Sequence, residues 1–458
     1  MGEPLRIAVV GGGIAGLGAA HRLAARHRVT LFEAADYVGG HTNTVDATVG
    51  GITHPVDTGF LVYNERTYPN LIALFEALGV PTAASEMSFS VSVGPHDFEW
   101  CGSDVASLFA QPSNALSPRF WSMLRDILRF NRQATALARD ASRADDAAVP
   151  LAAWLDANGY GRPFRDGYLL PMAAAIWSCP TSTMLAFPVG SFARFCDNHG
   201  LLQVANRPRW FTVRGGARQY VEKIVAGLDD VRTRTPVRGI QRTPLDPAHG
   251  GRDSVTVITD QGRETYDHVV LACHSDQSLG MLLDASGDER EILAAVPYQP
   301  NRAYLHTDLA LMPKRRRAWA AWNYLSAGSF DGTADRSAVA ADADAPSVAV
   351  TYWLNRLQPL PFAEPVLVTL NPLTPPRDET VLATFDYSHP VFDGGAIAAQ
   401  RRLPAIQGVR NTWYAGAWTG WGFHEDGLKS GLAVAGALLA PREARRDAPP
   451  TASVLAAA

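Results

Sequence analysis

Ile7-Ala8-Val9-Val10 runs directly into Gly11-Gly12-Gly13-Ile14-Ala15-Gly16, and Glu33 follows twenty positions after Gly13. This is the spacing of a dinucleotide-binding βαβ unit. A buried strand over 7–10 ends at Gly11, which permits the tight turn. Gly13 leaves the backbone open to a pyrophosphate, and Gly16 lets the next helix lie close on the sheet. The start of that helix, at Ile14 and Ala15, offers N–H groups and a partial positive charge to phosphate. Val29-Thr30-Leu31-Phe32 reads as the second strand and presents Glu33 to a ribose diol. A carboxylate there disfavours a 2′-phosphate.

The rest of the chain sets limits on this unit. With 458 residues it exceeds one ordinary core, so two domains are expected. The formal charge is -4 and the basic residues are scattered, which argues against nucleic acid as a partner. Cys101, Cys179, Cys196 and Cys273 stand alone, with no CxxC pair, so neither a metal site nor a disulfide framework is expected. A reduced, cytoplasmic setting fits that usage. No charged-then-apolar leader is evident and no apolar run reaches the roughly 18 residues that span a bilayer, so a soluble or at most peripheral protein is expected.

Downstream, Leu71, Leu74, Phe75 and Leu78 share one helical face closed by Gly79. Phe120, Leu124, Ile127 and Leu128 mark a longer amphipathic helix, and 151–158 a short one. From Trp210 the pattern reverts to Gly215-Gly216, a helix and strands, with the apolar run 268–272 reading as a further parallel strand. Strand-like runs recur over 347–354 and 365–370. The Ala/Asp-rich stretch 331–346 is expected to be a mobile loop and 441–458 a disordered tail. Near the C-terminus, a strand over 411–414 enters a loop at Gly416, and Gly422-Phe423-His424-Glu425-Asp426-Gly427 opens an Ala/Gly-rich helix. A helix start aimed at the N1/C2 edge of a flavin would stabilise the negative charge of its reduced form.

Taken together, Gly11–Gly16, Glu33-Ala34, Gly39-Gly40, Val213-Arg214-Gly215-Gly216, Pro236-Val237-Arg238-Gly239-Ile240, Val269-Val270-Leu271-Ala272 and Gly416 with Glu425-Asp426-Gly427 resemble the flavin amine oxidase, protoporphyrinogen oxidase and phytoene desaturase superfamily. Within it, Gly39-Gly40-His41-Thr42-Asn43-Thr44, Asp57-Thr58-Gly59-Phe60 and the Phe423–Gly427 run are similar to a bacterial group of predicted NAD/FAD-binding proteins associated with fatty-acyl methylation or cyclopropanation. The resemblance implies an α/β fold: a Rossmann-like, glutathione-reductase-type FAD domain assembled from 1–85, 206–275 and 405–440, with an α+β substrate domain from 86–205 and 276–404. It implies FAD as cofactor, held by Gly11, Gly13, Ile14, Ala15, Gly16, Glu33, Gly40, His41, Thr58, Gly59, Val237, Gly416, Glu425 and Asp426. The electron acceptor, whether oxygen, a quinone or a carrier, stays open.

Two departures bear on chemistry. The family's usual Arg after the double glycine is His41 here, so the pyrophosphate charge is met otherwise, by Arg66 or by neutral backbone. The strand 301–306, where many amine oxidases carry a flavin-facing Lys, has none, and Lys223, Lys314 and Lys429 are the chain's three lysines.

His424 and Glu425, beside the expected flavin edge, are the candidate catalytic pair, as proton acceptor and its orienter; shaping the loop is the alternative. His41, His54 and Asp57 are read as stabilising the cofactor loop, and His306 as a core histidine. Met172, Trp177, Phe187, Phe192 and Phe195 are core residues or the walls of an apolar tunnel. Three functions follow: desaturation of a hydrophobic, acyl-lipid substrate by hydride transfer to flavin N5; amine oxidation with hydrogen peroxide release, using Trp413, Tyr414, Trp418 and Trp421 as a cage; and redox-neutral mutase or isomerase chemistry, with Arg194, Arg207 and Arg209 around a diphosphate. Lys314-Arg315-Arg316-Arg317 beside Trp319 and Trp322 suggests peripheral contact with an anionic membrane.

Overall fold

The computed structural model describes residues 3–94, 97–140, 149–203, 206–243, 254–327, 330 and 349–440. The loop expected over 331–346 and the tail expected over 441–458 lie outside the described residues. The opening unit forms as its pattern requires: β1 (Arg6–Val10), α1 (Ile14–Ala24) and β2 (Arg28–Phe32). Around it a wholly parallel five-stranded sheet runs in the order Asp230–Arg232, β2, β1, His268–Leu271, Thr412–Tyr414. Segments more than two hundred residues apart thus sit side by side.

Alternation along β1 assigns its two faces. Ile7 and Val9 point into a core shared with α1 and with the C-terminal helix His424–Leu439, while Ala8 and Val10 point into a second core with Ile240, Val255, Val257 and Leu271. That second core lies under a three-stranded antiparallel sheet, Val237–Thr243, Ser254–Thr259 and Gly262–Tyr266. The C-terminal helix meets α1 closely because both are glycine-bearing there: a Cβ on Gly431 would collide with the Ala15 carbonyl oxygen, and one on Gly18 with Leu428.

The other half of the molecule is built on a seven-stranded sheet, in the order Val381–Pro390, Tyr298–His306, Leu367–Leu370, Ala349–Trp353, Trp322–Ser326, Phe89–Val93, Phe98–Cys101. All its pairings are antiparallel except that of Trp322–Ser326 with Phe89–Val93. Helices Pro118–Arg139, Leu151–Ala157, Leu170–Trp177 and Val189–Asn198 gather around Phe130, Phe164, Phe192 and Phe195. The early hairpin Thr44–Val49 and Ile52–Asp57 feeds Ala47, Val49 and Val56 into the apolar cluster of the seven-stranded sheet. None of the helices in the described residues is long and apolar enough to cross a membrane.

Candidate active site

One cavity of about 1410 Å³ joins the two halves. It runs from the Gly11–Ile14 turn and Glu33, past Gly40, His41, Thr58, Gly59 and Gly416, to an arm walled by Leu124, Ile127, Met172, Ile176 and Trp210. Ordinary small-molecule pockets hold roughly 300–1,000 Å³, so the volume suits a dinucleotide and a second ligand together.

At the nucleotide end the walls are backbone. Gly11 has φ +107°, a conformation that favours glycine, and a Cβ there would stand 2.7 Å from the Ala272 carbonyl oxygen. A Cβ on Gly16 would collide with the Gly11 carbonyl oxygen, so the glycine is what lets α1 sit on the turn. Gly13 is the N-cap of α1, with no side chain bonded to the free N–H groups, and a Cβ there would meet nothing within 4 Å. Glu33 lines the cavity while its carboxylate accepts from the Gly12 and Ala35 N–H groups at 2.8 Å each, which ties the turn to the end of β2.

The middle of the cavity is ringed by imidazoles. His41 stacks on Tyr387, with ring centroids 4.9 Å apart, and lies 5.1 Å from His389. Its Nε2 is buried without a hydrogen-bond partner among the described residues. The Tyr387 hydroxyl is held by Asn43 at 3.1 Å and Thr58 at 3.0 Å. His389 Nδ1 meets the Asn301 side-chain amide at 3.1 Å, and His274 stacks on Tyr298 at 4.2 Å. Burial pushes every one of these imidazoles down. His41 falls well below its ordinary value, with His389, His274 and His424 as further causes; His389 falls to about 4, with His274 adding to burial, and His274 also falls. The ring is uncharged at neutral pH.

His424 lies on the wall, its ring 3.8 Å from Phe60 and nearly parallel to it. Its Nε2 meets the Tyr220 hydroxyl at 2.8 Å, and Tyr220 in turn bonds Thr42. Burial lowers the imidazole to about 3, so it is a neutral hydrogen-bonding group and a weak proton acceptor.

Glu425, expected to orient His424 and to hold cofactor, does not line the cavity, and its carboxylate is bonded away from His424. Its carboxylate accepts from the Asn70 N–H and side-chain amide and from the Leu71 N–H, at 2.7–3.0 Å, and so caps the helix Pro69–Leu78. Tyr68, the N-cap of that helix, supplies no such bond, which explains the need. Asp426 does not line the cavity either: it accepts from the Trp421 and Phe423 N–H groups at 3.0 Å and fixes the loop, burial raising it to about 6. Gly16 lies beneath the cavity wall. The other expected cofactor residues, Gly11, Gly13, Ile14, Ala15, Glu33, Gly40, His41, Thr58, Gly59, Val237 and Gly416, all line it.

Residues 14–439 match the family described as flavin containing amine oxidoreductase. The chain belongs to that family. It is 31% identical over 331 residues to carotenoid phi-ring synthase of Streptomyces griseus, a match that takes in 65% of this chain and 55% of that protein. The chain therefore spans about half the length of this curated relative. Among solved structures it resembles the CLA-producing fatty acid isomerase from P. acnes, with TM-score 0.65 and 16% identity over 96% of this chain and 100% of that one. It also resembles cyclohexylamine oxidase from Brevibacterium oxydans, with TM-score 0.64 and 16% identity over 95% of this chain and 98% of that one. At such identity the likeness is one of fold.

The residues present fit the family's flavin in its dinucleotide form. The uncapped helix start at Gly13, with nothing in the way of a ligand, receives anionic oxygens, Glu33 stands where a ribose diol would be held, and the unpartnered His41 Nε2 awaits a hydrogen-bonding group. When bound, a flavin supplies a hydride acceptor. The protein's part is to place a C–H bond beside it, exclude water and keep the surroundings neutral.

No lysine lines the cavity among the described residues. Lys223 donates to the Leu78 and Gly79 carbonyls, and the strand Tyr298–His306 offers Asn301, bonded to His389, on the stretch where the family's lysine was sought. His306 is a satisfied core histidine, bonded to Thr369 and the Asp308 N–H. Of the expected aromatic cage, Trp418 and Trp421 line the cavity while Trp413 and Tyr414 do not. Arg207 and Arg209 reach the wall but Arg194 does not, and Arg209 is paired with Glu65 at 2.6 Å. Sequence reasoning missed Cys273 and His274, which follow directly on a parallel strand; the C-terminal ends of such strands border the ligand crevice, a signal sufficient to find them.

Proposed function

We propose that this protein is a flavin-dependent dehydrogenase that desaturates a hydrophobic substrate, the acyl chain of a membrane lipid. One observation carries the reading: among the described residues, Glu33 is the sole carboxylate lining the cavity, and it belongs to the nucleotide end, bonded to Gly12 and Ala35. A cationic amine would enter a chamber with no counter-charge, ringed by imidazoles that burial keeps neutral. An acyl chain needs no counter-charge. Met172, Ile176, Leu124, Ile127 and Trp210 hold it by contact, and closure around it excludes water from the reacting carbons. Desaturation would take a hydride from one carbon, for which a bound flavin would be the acceptor, and a proton from its neighbour, for which neutral His424 on the cavity wall would be the acceptor. The names of two similar proteins, a carotenoid ring synthase and a fatty acid isomerase, point to hydrophobic chains as well.

Amine oxidation is the second reading, favoured by Trp421 and Phe423 on the cavity wall, where paired aromatics would hold an amine. Anaerobic bleaching of the flavin band by a bacterial phospholipid extract, run beside a panel of primary amines and polyamines, separates the two. The acyl reading predicts bleaching by lipid alone; bleaching by an amine alone overturns it.

A further inference from the structure

The apolar arm of the cavity comes to the surface beside the helix Pro118–Arg139. Leu124, Ile127 and Leu128 of that helix line the cavity, together with Leu108 from the short helix Val105–Leu108. Leu128 is also 58% exposed, so it stands at the rim. Two turns earlier on the same helix Trp121 is 51% exposed, and the segments that Trp121 contacts carry two more large apolar side chains that face solvent, Leu116 at 88% and Val105 at 74%. Such exposure gathered at a cavity mouth is unusual for a protein surface that touches only water.

Charge is interleaved with it. Trp121, Arg125, Leu128 and Arg132 are spaced four, three and four residues apart, which puts all four on one stripe of the helix, apolar and cationic in turn. Trp121 is fixed against the preceding segment, its indole N–H donating to the Ala115 carbonyl at 2.9 Å and its ring 5.8 Å from Phe109. The turn Arg316–Ala318 packs against Val105–Leu108 and the strand Phe98–Cys101, so exposed Lys314 and Arg317 join the same neighbourhood. Two members of that basic run are engaged elsewhere: Arg315 pairs with fully buried Glu99 at 2.9 Å, and Arg316 lies over the Trp319 ring. The membrane contact expected from the four-residue run is thereby narrowed to two of its side chains and extended to a helix stripe outside it.

We propose that this face docks on a bilayer containing anionic phospholipid, with Trp121, Leu128, Leu116 and Val105 entering the interfacial layer and Arg125, Arg132, Lys314 and Arg317 meeting headgroup phosphates. Tryptophan suits that depth, and each cation near an anionic surface strengthens binding about fivefold. The occupant follows from the combination: cations select an anionic surface, and the continuity of the exposed patch with an apolar cavity selects one made of acyl chains. An acyl chain then passes from bilayer to cavity at Leu128 without crossing water. The inference takes its purpose from the acyl reading above, but the docking is measured without turnover.

The test is flotation of the flavin-loaded full chain with vesicles of phosphatidylcholine alone and of phosphatidylcholine mixed with phosphatidylglycerol. The chain should float with the mixed vesicles, less so as salt rises. Trp121→Glu with Leu128→Glu should lower partition at least tenfold, and Lys314→Ser with Arg317→Ser about twenty-fivefold, both with unchanged flavin content. Arg22→Ser with Arg26→Ser, an equal charge change at the exposed end of α1, should leave partition unaltered. Equal binding to both vesicle types, no binding at low salt, equal loss in the α1 variant, or a dimer that Trp121→Glu dissociates would overturn the proposal. Failure of the acyl reading looks different: the chain floats, yet detergent-dispersed lipid leaves the flavin band intact.

Discussion

The two ends of the cavity are built from different materials. At the nucleotide end the walls are backbone, and Gly11 and Gly16 leave no room for a Cβ against the Ala272 and Gly11 carbonyl oxygens. In the apolar arm they are side chains, Leu124, Ile127, Met172 and Ile176, brought together from two helices. A cofactor common to a family demands the first construction; a substrate that differs from member to member is served by the second. The ends should therefore fail differently when altered.

Two glycines three residues apart give the largest contrast. Gly16→Val drives a side chain into the Gly11 carbonyl and should cost at least the 1–3 kcal/mol typical of overpacking, with loss of flavin and a lowered melting temperature. At Gly13 an added Cβ meets nothing within 4 Å, at a backbone φ of -71° that any residue adopts, so Gly13→Leu should yield a colourless protein whose melting temperature stays close to that of the deflavinated parent. Equal destabilisation by both would break the distinction. At the other end, Ile176→Trp should fill the apolar arm, leave the yellow spectrum intact and abolish bleaching by lipid, as read by anaerobic titration.

A pH scan sharpens the view of the neutral middle. His199, His306 and His389 are lowered to about 4 and His424 to about 3, all chiefly by burial. The unfolded chain takes up those protons first. Their stability is therefore full above pH 6.5 and is lost as pH falls toward 4. Asp57 and Asp426, raised to about 6 by burial, act with the opposite sign between pH 6 and 3.8, because the folded state protonates first. Four imidazoles outweigh two carboxyls, so melting temperature should drop on acidification from pH 6.5 to 4; a rise would contradict the lowering of these buried imidazoles, of which His389 and His424 belong to the ring. The smallest effect is expected from Tyr220→Phe, which removes the bonds to His424 and Thr42 at about 1 kcal/mol, with flavin retained but its spectrum shifted.

What the sequence disclosed follows the same division. β1, α1, β2, Glu33, the late parallel strand and Gly416 were legible because glycine spacing and apolar runs are local statements about backbone. Glu425 was read as catalytic because its neighbours in sequence face the cavity, whereas its partners, Asn70 and Leu71, lie more than 350 residues away. Arg315 was grouped with its basic neighbours for the same reason, although a buried Glu99 claims it. The histidine ring was not legible: His41, His274, His389 and His424 come from four separate segments, and only the folded chain makes them one feature.

The central claim, that the second half of the cavity holds an acyl chain for oxidation, is tested most directly by mass spectrometry of phospholipid acyl chains after incubation with the flavin-loaded protein and an artificial electron acceptor. The expected product is lighter than its substrate by two hydrogen atoms and absent with Ile176→Trp. Unchanged lipid, with an amine converted to its aldehyde under the same conditions, would contradict it.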